Sequence, residues 1–404
     1  MAAAAASTMV TMSNVAGRKT LCPSARESKT VDLHPRATMP PSLIQVRQMS
    51  KTVSINSGKT KGSFSKRMFQ ISTHQGERSS VRKIRCVSGQ STPRARGPPA
   101  IPAKVEMHEE EIVDGVNVQH GYLNNKDVKI HFVECGDPAG KLVILVHGWP
   151  NFWYVWKHQF KALAAAGYHV IALDLRGYNL SSKPEKLESF VRSEVLSDFV
   201  CFIDIFGNGE PAIMVGHDWG STISWCFAED YPSKVERLVT INMGRLTDFS
   251  QILRSNPAQL LRSWYIGAFQ IPHLAEHAIA YDRCLILREI CKNCIPSMST
   301  SDIERHVTAY SIPGAIKGSL TFYRAAVRGL WHLPDKKVPV VKTPVTVFWG
   351  DKDSFLLPIV AEPSKDTALN AKVVHLPQCA HWPMWDDPKL FNELLLETIA
   401  GKSS

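Results

Sequence analysis

The residue in this chain best suited to chemistry is Asp218, in the stretch Val215-Gly216-His217-Asp218-Trp219-Gly220. Residues 212–215 before it read as a short buried strand, and residues 221–231 after it as a helix with Ile223, Cys226 and Phe227 on one face. Strand, small-x-acid-x-small, helix describes a nucleophile elbow, whose glycines permit a tight turn that lifts the middle side chain above a parallel sheet. A serine in that place must lose a proton as it attacks, whereas a carboxylate with a pKa of about 4 is already ionised at neutral pH. A carboxylate suits displacement at saturated carbon and leaves an ester that water must then hydrolyse. An aspartate capping a helix after a strand would look the same, so the elbow needs partners.

Ligands in parallel sheets bind beyond the carboxyl ends of the strands, so partners are sought directly after each strand. After Leu142–Val146 comes His147-Gly148-Trp149-Pro150, where glycine and a predicted cis-proline turn a backbone N–H inward, as an oxyanion site requires. After residues 345–349 comes Gly350-Asp351-Lys352-Asp353, and after residues 373–376 comes Pro377-Gln378-Cys379-Ala380-His381-Trp382. A nucleophile (Asp218), an acid (Asp353) and a base (His381) therefore each follow a strand, in that chain order.

The elements that must carry these groups alternate. Residues 116–123 and 128–133 alternate apolar and polar and predict a hairpin around Asn124-Asn125-Lys126-Asp127. The wholly apolar Leu142–Val146 predicts a strand covered on both faces. Helices are predicted over 152–166, 190–206 and 388–399, and further strands over 170–173 and 238–241. Residues 245–337 carry helical patterns and no convincing strand. The expectation is an α/β fold: a mainly parallel sheet with helices on both faces and a helical lid inserted between two sheet strands. The core would run over 105–244 and 338–404, the lid over 245–337.

The net charge of +10 divides unevenly. Residues 1–104 hold 18 Lys+Arg against 3 Asp+Glu, a net of +15, and the remainder holds 29 against 34, a net of −5. The body is mildly acidic, which removes the compositional case for nucleic-acid binding by the folded part. The first 104 residues lack sustained periodicity and a continuous apolar stretch. They are expected to be a disordered targeting peptide and linker, chloroplast by preference and mitochondrial as the alternative, cut near Cys86. No apolar run reaches the ~20 residues of a membrane span. Cys291-Lys292-Asn293-Cys294 lacks the context of a redox motif and reads as two idle thiols, and no set of side chains has metal-ligand spacing.

From about Glu111 to Ala400 the chain resembles the epoxide hydrolases of the α/β-hydrolase superfamily. The resemblance rests on His147-Gly148-Trp149-Pro150, Asp174-Leu175-Arg176-Gly177-Tyr178, Gly216-His217-Asp218-Trp219-Gly220 and His381-Trp382. Two lid segments add to it: Trp264-Tyr265 through Pro272, and Pro313-Gly314-Ala315 followed by Thr321-Phe322-Tyr323-Arg324. It implies that Tyr265 and Tyr323 are the lid tyrosines that hold the epoxide oxygen, and that the backbone N–H groups of Trp149 and Trp219 form the oxyanion hole. It further implies a small apolar epoxide and water as reactants, a vicinal diol as product, and no metal or organic cofactor.

Three places depart from the family pattern: Asn151 where an acid is typical, Asn179-Leu180 where glycine is usual, and Asn242-Met243-Gly244-Arg245 where the approach to the lid is proline-rich. They bear on pocket shape and hinge. A haloalkane or haloacid dehalogenase would share the elbow aspartate, but relatives of that kind hold the halide with an asparagine where Trp149 stands. A non-catalytic ligand-binding protein would share only the fold.

Overall fold

Leu142–Val146 and His169–Leu173 are buried at every residue, as is Ala212–His217 between sheet neighbours. Strands of this kind form only where helices cover both faces of a sheet, and each buried Val, Leu or Ile there stabilises by roughly 1.5–3 kcal/mol. The protein is described here from a computed structural model covering residues 104–332, 339–363, 365–366 and 368–401. The expected targeting segment lies outside the described residues, apart from Lys104.

Nine strands form one sheet: β1 (Lys104–Val113), β2 (Val116–Asn125), β3 (Val128–Gly136), β4 (Leu142–Val146), β5 (His169–Leu173), β6 (Ala212–His217), β7 (Val235–Ile241), β8 (Val345–Gly350) and β9 (Ala371–Leu376). Their spatial order is β1-β2-β3-β5-β4-β6-β7-β8-β9. The β1–β2, β2–β3 and β3–β5 pairs are antiparallel and the rest are parallel. The parallel part gathers the carboxyl ends of β4, β6, β7, β8 and β9 along one edge, where the residues singled out by sequence emerge. Strand β1 has no counterpart in the sequence reading: its Glu109-Glu110-Glu111 run hides the alternation, and a bulge between Met107 and Glu110 shifts its register.

Helices α1 (Lys157–Ala165), α2 (Arg192–Phe206) and α3 (Trp219–Asp230) follow β4, β5 and β6. Between β7 and β8 the chain leaves the sheet for a helical insertion. It comprises α4 (Leu246–Ser255), α5 (Pro257–Arg262), α6 (Trp264–Ala268), α7 (Leu274–Cys294, non-helical at Tyr281–Cys284), α8 (Thr300–Ser311) and α9 (Ala315–Val327). Asn256 caps α5 and a reciprocal Ser299–Asp302 box caps α8, satisfying amides that a helix start otherwise leaves open. Short α10 (Pro383–Asp386) and α11 (Pro388–Ile399) close the fold. Among the described residues no helix is long and apolar enough to cross a membrane.

Candidate active site

Asp218 stands between β6 and α3 at φ +54° and ψ −118°, a conformation that few side-chain-bearing residues adopt. The turn is possible because its flanks are bare: a Cβ on Gly216 would lie 2.4 Å from the carbonyl oxygen of Gly220. Trp149 follows β4 in a loop with a cis Trp149–Pro150 bond, and its backbone N–H donates to Oδ1 of Asp218 at 2.8 Å. Trp219 is the first residue of α3, so its N–H has no acceptor within the helix.

Asp353 and His381 emerge from β8 and β9 and meet beside Asp218. Nδ1 of His381 donates to Oδ2 of Asp353 at 2.6 Å, and Nε2 faces Oδ2 of Asp218 at 3.8 Å. Burial opposes charge on His381, but the Asp353 and Asp218 carboxylates outweigh it and push its pKa up to about 10. Asp353 is itself buried, yet His381 and its other hydrogen-bond donors hold its carboxyl below the ordinary value. All four bonding directions of that carboxylate are filled: Oδ1 accepts from the amides of Phe355 (2.7 Å) and Leu356 (2.9 Å), Oδ2 from His381 and from the Asn242 amide (2.7 Å).

The two tyrosines come from the insertion. Tyr265 lies on α6 and Tyr323 on α9, their ring centroids 6.2 Å apart, with Tyr323 edge-on to Trp219 at 5.1 Å. Burial first, then the negative charge of Asp218, raises both phenols well above their ordinary pKa of 10, so both keep their protons. Helix α9 is held close to the core at Gly318, where a Cβ would lie 2.4 Å from the oxygen of Gly177.

Two cavities meet at this point, and Asp218, Tyr265 and Tyr323 line both. One, of about 200 Å³, runs along Leu246, Phe249 and Leu253 of α4. The other, of about 40 Å³, is bounded by Trp149, Phe355 and His381.

The chain is similar to known proteins in sequence and fold. A sequence profile described as the alpha/beta hydrolase fold matches residues 141–388. The AB hydrolase superfamily protein YfhM of Bacillus subtilis is 35% identical over 72% of this chain and 100% of its own. Epoxide hydrolase 4 of Mus musculus is 32% identical over 68% of this chain and 78% of its own. The crystal structure of a Bacillus megaterium epoxide hydrolase in complex with an inhibitor matches with a TM-score of 0.63 at 27% identity, covering 69% of this chain and 99% of that one. The chain belongs to the epoxide hydrolase family of the α/β-hydrolase superfamily.

In this epoxide hydrolase family member the three sequence departures all touch the site's supports. Asn242 follows β7 at φ +47°, a conformation asparagine tolerates better than most residues, and binds the catalytic-acid candidate Asp353 directly. Its role went unread in the sequence, although inspecting the residue after every strand would have reached it. Asn151 accepts from the Trp382 indole at 2.8 Å and bonds His306 of α8 at 3.2 Å, joining core, histidine loop and insertion. Asn179 donates to Asp174 at 2.8 Å. His217, also unread, bonds the carbonyl of His381 at 2.8 Å. Cys291 is buried and Cys294 half-buried, both free, and burial pushes their thiols up to about 12 and about 11, which keeps them protonated.

Proposed function

We propose that this chain hydrolyses apolar epoxides to vicinal diols through an ester on Asp218, with the helical insertion as a lid over the reaction. The observation that carries the reading is the convergence of Asp218, Tyr265 and Tyr323 on the junction of two mainly apolar cavities. Trp149 N–H holds Oδ1, so Oδ2 is the attacking oxygen. As the Oδ2–carbon bond forms, the ring carbon–oxygen bond breaks, and the released oxygen takes hydrogen bonds and then a proton from the phenols.

Esterification removes the charge of Asp218, one of the two carboxylates that hold a proton on His381. The ring then gives up that proton, which balances the one consumed in opening the epoxide, and becomes a base. Its Nε2 deprotonates water, whose oxygen adds to Cγ of Asp218. Charge gathers on Oδ1 against the Trp149 and Trp219 amides. The Cγ–Oδ2 bond breaks, and the leaving Oδ2 takes the proton that remained on the added water oxygen. The diol departs with the old Oδ2, and the water oxygen remains on the Asp218 carboxylate.

The basic segment 1–104 supports a further reading, that it is an import leader of chloroplast or mitochondrial type, removed near Cys86. Turnover of an aryl epoxide beside a haloalkane tests the activity: diol without halide release is expected. Halide release with the epoxide untouched would make the chain a dehalogenase, and no turnover of either would leave it a binding protein.

A further inference from the structure

Helix α5 supplies none of the reacting groups named above, although its Arg262 lines the smaller cavity, and it grips the segment that carries the acid. Gln259 is wholly buried and uses both ends of its amide: Oε1 accepts from the amide of Leu357 at 2.8 Å, and Nε2 donates to the carbonyl of Phe355 at 3.1 Å and to Ser263 Oγ at 2.9 Å. Arg262, on the same helix, donates through Nη1 to the carbonyls of Asp353 at 2.9 Å and Leu356 at 3.2 Å. Four main-chain groups between 353 and 357 are therefore bound by one helix of the insertion. Two other amides of that segment, Phe355 and Leu356, bind Oδ1 of Asp353.

We propose that Gln259 is a positioning residue for ester hydrolysis, fixing from the insertion the loop that aims Asp353 at His381. The inference rests on the epoxide reading above. It has a directional consequence. Asp218 needs neither Asp353 nor a neutral His381 to open the ring, whereas water activation needs His381 held by Asp353. Loosening the grip of α5 on the 353–357 loop, with Tyr265 and Tyr323 still in place, thus slows the second step and not the first.

The test separates the two steps. Gln259→Met keeps the side-chain length and removes both ends of the clamp; Arg262→Ala loosens the same loop from a half-buried position. Each variant is mixed with excess aryl epoxide, and intact mass follows formation and decay of the protein–substrate adduct, whose final stoichiometry counts folded sites. Alkylation within about twofold of the parent and ester decay slowed roughly tenfold are expected, the size of one hydrogen bond supporting a charged group. kcat and KM should fall together, leaving kcat/KM unchanged, because the slowed step follows the committing one. A general loss of structure would lower adduct stoichiometry and kcat with KM unmoved, and that pattern in both variants overturns the inference. Ester decay at the parent rate in both overturns it too, while the epoxide reading stands. A parent chain that neither forms adduct nor makes diol overturns both.

Discussion

Nε2 of His381 lies 3.8 Å from Oδ2 of Asp218, while Nδ1 of the same ring is bonded to Asp353 at 2.6 Å. The first distance is beyond hydrogen-bond range, so the ring belongs to the acid rather than to the nucleophile. A serine nucleophile would need that missing bond, and an ionised aspartate does not. His381→Gln is therefore expected to react once with an epoxide and stall, with the added mass on the peptide containing Asp218. Asp218→Ala should gain no mass. In a single turnover in ¹⁸O water the parent should place the label on Asp218 and not in the diol; label in the diol would mean direct attack by water.

Tyr265→Phe and Tyr323→Phe should each slow alkylation, and the double change should nearly abolish it. Loss of one positioned donor to developing oxyanion charge costs about 2.7–4 kcal/mol, roughly a hundredfold or more in rate. Stopped-flow measurement of adduct formation checks this, and an unaltered rate in the double variant would remove the phenols from the mechanism.

The raised pKa of His381 fixes the sign of a pH effect. Its folded value lies above the ordinary 6.5, near 10. The imidazolium thus contributes stability that is complete below 6.5 and disappears as pH rises through about 10. Tm is expected to fall across that window, and in Asp218→Asn, with one carboxylate neutralised, the fall should end at lower pH and be smaller in total. Ester decay, which needs the neutral ring, should instead quicken as pH rises.

Asn242→Leu should mimic a weakened acid. It removes the donor 2.7 Å from Oδ2 of Asp353 and the partner of the Gly350 amide. Hydrogen bonds to charged groups contribute about 1.5–3 kcal/mol, so ester decay should slow at least about tenfold with alkylation little changed. Equal loss in both steps would indicate damage to the pocket instead.

A chain beginning at Pro102 should keep the turnover and thermal stability of the full one. Loss of either would show that the basic segment packs on the catalytic body.

The strand-end residues were legible because each strand of a parallel sheet announces its own carboxyl end: Leu142–Val146, then His147 to Pro150, is readable without a third dimension. Tyr265 and Tyr323 were not legible that way. They sit on helices of an insertion whose amphipathic pattern looks the same with or without a phenol at the inner face, and only family resemblance singled them out. The bond from Asn242 to Asp353 joins residues 111 positions apart, and the clamp from Gln259 to Leu357 spans 98. No local period encodes a contact of that kind. Strand β1 was hidden for a different reason: an edge strand can carry a glutamate run on its exposed positions without leaving the sheet.

Gly177 and Gly318 touch main chain to main chain, one in the loop after β5 and the other five residues before Tyr323. A side chain at Gly318 would meet the oxygen of Gly177, and one at Gly177 would come within 2.8 Å of the Gly318 carbonyl carbon. The two positions are in effect a single inherited character, although 140 residues of sequence lie between them. Whichever mutates first drives a wedge under the helix that carries a phenol, and mutating the other afterwards adds a second wedge rather than relieving the first. The height of the pocket's ceiling above Asp218 is thus set by two missing side chains rather than by any side chain present.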